Sequence, residues 1–143
     1  MKLINYSLVF ALCLIFLGCG KGKELSEEEK AKIEVNKAMI YGKWKFVSFL
    51  KGGVLRTADT DPCFADNTIE FRQDGNGTIS QGACIESPSV PQNENFVWVF
   101  ESATTIDLGS NQVKISTLND SSLQFVRIYK STSAPNEEYR WKK

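Results

Sequence analysis

The sequence predicts an all-β fold, an up-and-down antiparallel β-barrel of about eight strands, preceded by an export signal and one short helix. Two observations carry that prediction. From Gly42 onward apolar residues recur at every second position: Trp44, Phe46 and Leu50 alternate with Lys45 and Val47, Ile69 and Phe71 with Glu70 and Arg72, and Val113 and Ile115 with Lys114 and Ser116. A period of two is the mark of a half-buried strand. Between these runs stand Lys51-Gly52-Gly53, Asp74-Gly75-Asn76-Gly77, Leu108-Gly109-Ser110-Asn111 and Leu118-Asn119-Asp120-Ser121. Each cluster tolerates positive φ or bonds its own backbone, so each predicts a tight connection.

Taken in order, the strands fall near 43–50, 53–56, 68–73, 77–82, 96–101, 103–108, 112–117 and 122–130, with a ninth left open at 138–142. A meander of that number closes most economically into a barrel, because closure removes exposed sheet edges; a two-sheet sandwich is the alternative. Residues 86–95 (ESPSVPQNEN) contain two prolines and no apolar period, and are expected to be a long excursion between strands.

The first part of the chain reads differently. Lys2 precedes an uninterrupted apolar run from Leu8 to Leu17, too short for a mature membrane-spanning helix and typical of an export signal. The run ends at Phe16-Leu17-Gly18-Cys19 and changes abruptly to Gly-Lys-Gly-Lys-Glu. This resembles a lipobox, at which bacterial lipoproteins are acylated on the Cys thiol and cut just before it. The resemblance implies that Cys19 is the lipidation site and membrane anchor, with each buried methylene adding about 0.8 kcal/mol to attachment. The competing reading is a secretory signal with an incidental thiol. Residues 20–25 (GKGKEL) suit a flexible tether. Ser26 followed by Glu27-Glu28-Glu29 has the pattern of a capping box, and predicts a helix over 27–40 lying against the domain. The organisation expected is therefore signal peptide 1–18, tether 19–25, helix 26–41 and β-barrel 42–143.

Removal of 18 of the 143 residues leaves 125, enough for one domain with one core. Lys plus Arg and Asp plus Glu are both 17, so no basic surplus draws nucleic acid. The chain has no His, which removes the usual general base and the usual zinc ligand. With no paired nucleophile and base and no phosphate-cradling loop, the expectation is a protein that is not an enzyme and carries no cofactor or metal. Asp59-Thr60-Asp61 and the Asp74 cluster offer oxygen ligands, but ordinary turns account for both.

Outside the cytoplasm, Cys63 and Cys84 are best read as a disulfide, which on the chain-entropy model contributes roughly 3 kcal/mol. A redox or nucleophilic Cys would want a CxxC spacing or a base beside it, and neither is present. Trp44, Phe46, Phe71, Phe96, Trp98 and Phe100 are the candidate interior residues. They would either line a pocket for a small hydrophobic ligand or fill the barrel completely.

Gly42-Lys43-Trp44 looks like the G-x-W motif of lipocalins. The order of GKWKFVS, the Asp61-Pro62-Cys63 segment, DNTIEFRQDGNGT, Cys84, FVWVF and VKISTLNDSSLQFV resembles the short lipocalin-like lipoproteins of Gram-negative bacteria over residues 42–130. The resemblance implies an eight-stranded barrel closed near Trp44, open at the other end, with an apolar interior able to hold a small ligand. It also implies an Arg packed over the Trp, either Arg127 or Arg140. The expected function is a lipocalin-like lipoprotein of the cell envelope, at the outer membrane and facing the periplasm or the surface, that binds a small hydrophobic ligand. The alternative is a structural or interaction lipoprotein with a packed barrel, presenting loops such as 86–95 to another envelope protein.

Overall fold

The computed structural model describes residues 24–60, 62–82, 91–109, 111–128 and 137–143. Cys19, Cys84 and the export segment lie outside these residues. Among the described residues one helix, α1 (Glu27–Ile40), precedes ten strands: β1 (Gly42–Lys51), β2 (Val54–Thr57), β3 (Thr68–Phe71), β4 (Asn76–Ser80), β5 (Asn93–Val97), β6 (Val99–Ser102), β7 (Thr105–Asp107), β8 (Gln112–Leu118), β9 (Ser122–Ile128) and β10 (Glu137–Lys142). A 3-10 turn, Pro62–Phe64, leads into β3.

All pairings are antiparallel, in the order β5-β4-β3-β1-β10-β9-β8-β7-β6, with β2 added beside the far half of β1. The two edges of this path, β5 and β6, are consecutive in the chain and meet at Trp98. The sheet thus returns to itself through one residue, and the result is a nearly closed barrel. Trp98 is pinned there by its backbone N–H, which donates to Gly75 O at 2.8 Å, and by its indole Nε1, which donates to Asn76 O at 3.0 Å.

The turns form as their residues require. Gly52 and Gly53 both take positive φ, 55° and 82°, as the tight β1–β2 connection demands. Asp74 Oδ1 accepts from the Asn76 N–H at 2.9 Å between β3 and β4, and Asn119 Oδ1 accepts from the N–H groups of Ser121 and Ser122 at 3.0 and 2.9 Å between β8 and β9. The Ser26 hydroxyl accepts from Glu29 N–H at 3.2 Å and caps α1.

Three expectations need correction, and the ninth strand left open is present. Leu50 does not continue the inward row of Trp44 and Phe46, because the β1–β10 register shifts between Phe46 and Ser48; Phe49 and Lys51 instead stand opposite the inward Tyr139 and Glu137. A bulge of one residue exchanges the faces of everything beyond it. Residues 93–95 are not excursion but strand, with Asn93, Glu94 and Asn95 opposite Ser80, Ile79 and Thr78. Ladder hydrogen bonds need no apolar side chain, and the Thr78 hydroxyl adds a bond to Asn95 Oδ1 at 2.9 Å. The run 96–101 is split at Trp98, where the chain exchanges β4 for β7 as its partner. The strand left open at 138–142 is integral: β10 fills the gap between β1 and β9.

Candidate functional site

The interior divides into a packed end and an open end. At the packed end Trp44, Ile69, Phe71, Ile106 and Leu123 have almost no exposed surface. Trp98 stands edge-on to Phe71 at 5.4 Å and to Phe100 at 6.0 Å, and such ring pairs contribute about 0.5–1.5 kcal/mol each beyond area burial. α1 lies against β6 and β8 here, burying Ile33 and Ile40, and Asn36 Nδ2 donates to Ala103 O at 2.7 Å. Trp44 Nε1 donates to Ile40 O at 2.7 Å, so the helix end and the first strand share one buried bond. The cation over the Trp44 ring is neither Arg127 nor Arg140 but Lys143, whose Nζ stands 4.6 Å from the ring centroid. Arg140 points to the outer surface and pairs with Glu138 at 2.8 Å, while Arg127 lies at the opposite end of the barrel.

Toward the mouth the side chains no longer meet across the axis, and a cavity of about 410 Å³ opens between the strands. That volume lies in the range of small-molecule pockets. Its apolar wall is a second aromatic group. Phe46 packs against Phe64 at 5.2 Å and edge-on to Trp141 at 5.5 Å, Phe49 stacks on Tyr139 at 4.8 Å, and Phe125 contacts Tyr139 and Trp141 at 5.4 and 6.3 Å. Of the six residues singled out by sequence, Phe46 and Phe96 line this cavity, whereas Trp44, Phe71, Trp98 and Phe100 belong to the packed end.

The polar wall was not foreseen. Glu137, at the start of β10, is 1% exposed, yet it is met from both neighbouring strands: by Lys51 of β1 in an ion pair and by Arg127 of β9 at 3.1 Å. Tyr139 Oη donates to the same carboxylate at 3.0 Å. Register explains the convergence, since Lys51 and Arg127 are the cross-strand partners of Glu137. A buried carboxylate is tolerable only when paired and hydrogen-bonded in this way. The period-two run Glu137, Tyr139, Trp141 carried a signal for these residues. The cross-strand partners did not, because register is a property of the assembled sheet.

Trp141 and Gln81 both line the cavity, and each has one fully buried polar atom, Trp141 Nε1 and Gln81 Oε1, with no hydrogen-bond partner among the described residues. Cys63 is half-buried in the turn that enters β3. The adjacent Asn67 amide, with its nitrogen turned to two carbonyls, donates to Gln81 O at 2.6 Å and Cys63 O at 3.2 Å. Among the described residues there is no group of three potential metal ligands, and no helix is long and apolar enough to cross a membrane.

A nearly closed meander with one packed end and a hollow at the other defines a barrel of the calyx type. The family model described as lipocalin-like domain matches residues 40–125, more than half of the chain, and the chain belongs to that family. No curated protein and no solved structure matches it. Proteins with this barrel are generally binding proteins, and the fold suits small-ligand binding.

Proposed function

We propose that this chain is a lipoprotein of the cell envelope, anchored through an acylated Cys19, whose barrel binds a small hydrophobic ligand. The single observation that carries the binding role is the cavity of about 410 Å³ walled by Phe46, Phe64, Phe125 and Trp141. A structural or interaction protein with a filled barrel would have no such hollow. The anchoring rests on the apolar run Leu8–Leu17 and its abrupt end at Gly18-Cys19, and implies an outer-membrane location facing the periplasm or the surface. In the same oxidising setting Cys63 and Cys84 form a disulfide. Support comes from Asn67, which holds the Cys63 carbonyl next to that of Gln81, three residues before Cys84.

The binding role is tested with the neutral apolar fluorophore N-phenyl-1-naphthylamine, titrated into the purified full chain in phosphatidylcholine nanodiscs. Saturable binding at one site per barrel, above that of empty nanodiscs, is the expected result. Its absence, together with no co-purifying small molecule in native mass spectrometry, would overturn the role. The anchor is tested separately: Cys19→Ala is expected to release the chain from membranes, and an unmodified Cys19 thiol in the mature protein would overturn it.

A further inference from the structure

We infer that the outer face of β2, β1, β10 and β9 binds anionic phospholipid and lays the barrel on its side against the membrane that holds it. The nearness of that membrane rests on the Cys19 anchor proposed above, and the inference names the surface by which the domain meets it.

The charge follows from register. Lys43 and Lys45 of β1 and Lys142 of β10 alternate with inward aromatic residues and are exposed. Lys45 stands directly opposite Lys142, with Thr68 on its other side, and Lys142 has Ser122 on its other side. Neither ammonium therefore has a carboxylate as its cross-strand neighbour. Like charges directly opposite destabilise a sheet, so the fold gains nothing from this pair, and an anion brought to the face relieves it. Lys43 is opposite Glu70, which pairs with Arg72 at 3.3 Å, and Arg140 is matched by Glu138 at 2.8 Å. Lys45, Lys142 and the one cation left over from Lys43, Glu70 and Arg72 give the face three net positive charges, or two when Asp120 of the neighbouring turn is included. The chain as a whole balances 17 against 17, so the surplus belongs to this face. Helix α1 leans the other way, with four Glu against three Lys.

An apolar half lies toward the mouth on the same face. Beyond the bulge, Leu50 points outward between the inward Phe49 and Lys51 and stands opposite Leu55 of β2, while Ile128 ends the outward row of β9. Leu55 is 60% exposed and Ile128 41%. Lys45 and Leu50 are five residues apart on β1, about 17 Å at the rise of a strand. One wall thus presents cations to phosphates and aliphatic side chains to the acyl boundary, the pattern of a surface that lies in a membrane interface. Chain length permits the contact. Cys19 and Ser26 are seven residues apart, at most about 25 Å of chain. Helix α1 adds about 21 Å, and its last turn is tied to the lysine end of the face by the bond from Lys143 Nζ to Met39 O at 2.8 Å. So short an anchor holds the barrel at high effective concentration beside the bilayer, and a modest face suffices to orient it. The mouth then opens along the bilayer surface.

The test is acetylation of lysines by N-hydroxysuccinimide acetate, read residue by residue by mass spectrometry, on the full chain in nanodiscs of phosphatidylcholine alone or with about one third phosphatidylglycerol. We expect Lys43, Lys45 and Lys142 to react about threefold or more slowly on the anionic discs, with Lys30 and Lys32 of α1 unchanged, and about 0.5 M NaCl to remove the difference. Lys45→Glu places a carboxylate opposite Lys142, and is expected to hold or raise the urea midpoint while shrinking the difference at Lys43 and Lys142 about twofold or more. Leu55→Ser is expected to narrow the difference without changing the charge. Circular dichroism establishes that each variant is folded. Equal labelling on both discs, or a difference unmoved by Lys45→Glu, would overturn the basic face; a difference unmoved by Leu55→Ser would overturn its apolar half. The same spectra read Cys19. If Cys19 is acylated and the two discs label alike, this inference falls while the anchor stands. If Cys19 is bare and the chain floats with phosphatidylglycerol vesicles but not with phosphatidylcholine ones, the anchor falls and the face stands; if it is bare and floats with neither, both fall.

Discussion

The Lys143 ammonium stands 4.6 Å from the centre of the Trp44 ring and donates to Met39 O at 2.8 Å. One side chain thereby covers the indole of β1 and caps a carbonyl in the last turn of α1, closing the packed end where helix and barrel meet. Lys143→Ala is expected to lower stability by about 1 kcal/mol, and Trp44→Ala by about 3–5 kcal/mol, because the latter also empties a core site and leaves Ile40 O without its donor. Urea midpoints of the two variants measure both.

Gly77 faces the ring of Phe96. A Cβ placed there would collide with that ring and come within 2.7 Å of Glu70 O, so the clash is with backbone as well as with a side chain that could swing away. Gly77→Ala is expected to cost about 1–3 kcal/mol in urea unfolding. Phe96 lines the cavity, so the same substitution should alter N-phenyl-1-naphthylamine fluorescence.

Ile79 lies on the cavity wall opposite Ile69 in the β3–β4 ladder. Ile79→Trp places an indole in the hollow, and is expected to reduce N-phenyl-1-naphthylamine affinity at least about tenfold while holding or raising the urea midpoint, since filling a void restores contacts. Undiminished binding with an unchanged midpoint would locate the probe elsewhere.

Ser26→Ala removes the acceptor of the Glu29 N–H, and should destabilise α1 by about 1 kcal/mol. Because Ile33 and Ile40 anchor the helix, the loss should appear as faster amide exchange in its first turn before it appears in global unfolding.

Hydrogen bonds from the Asn76 side chain and backbone N–H hold the Asp74 carboxyl below its ordinary value. A carboxyl whose pKa is lower in the folded state contributes stability above its unfolded pKa, about 3.9, and loses that contribution as pH falls through the folded value. Wild type should therefore lose more stability than Asp74→Asn between about pH 5 and pH 2. Full exposure of the group keeps the difference small. Parallel urea titrations at both ends of that range would reveal it, and a larger loss in the Asn variant would contradict the assignment.

Much of the barrel was legible from local pattern. The helix 27–40, its Ser26 cap and the turns at Gly52-Gly53, Asp74 and Asn119 depend on residues a few positions apart, and short-range chemistry decides them. The aromatic residues of the interior were recognisable as a class. Which of them pack and which line a hollow was not, because that depends on what faces each ring across the barrel axis. Phe49 was hidden by the bulge after Phe46, and Asn93–Asn95 by polar side chains on a strand whose pairing is made by the backbone.

From the sequence alone came the antiparallel meander, the helix before it, the resemblance to lipocalins and the expectation of a lipid anchor at Cys19, since each is written in runs of adjacent residues. Tertiary structure alone decided that Lys51 and Arg127 flank a buried Glu137 and that Trp141 and Gln81 line one hollow. Within each group those residues are ten or more positions apart in the chain. Strand register and closure at Trp98 bring them together, and both are fixed by the whole sheet at once.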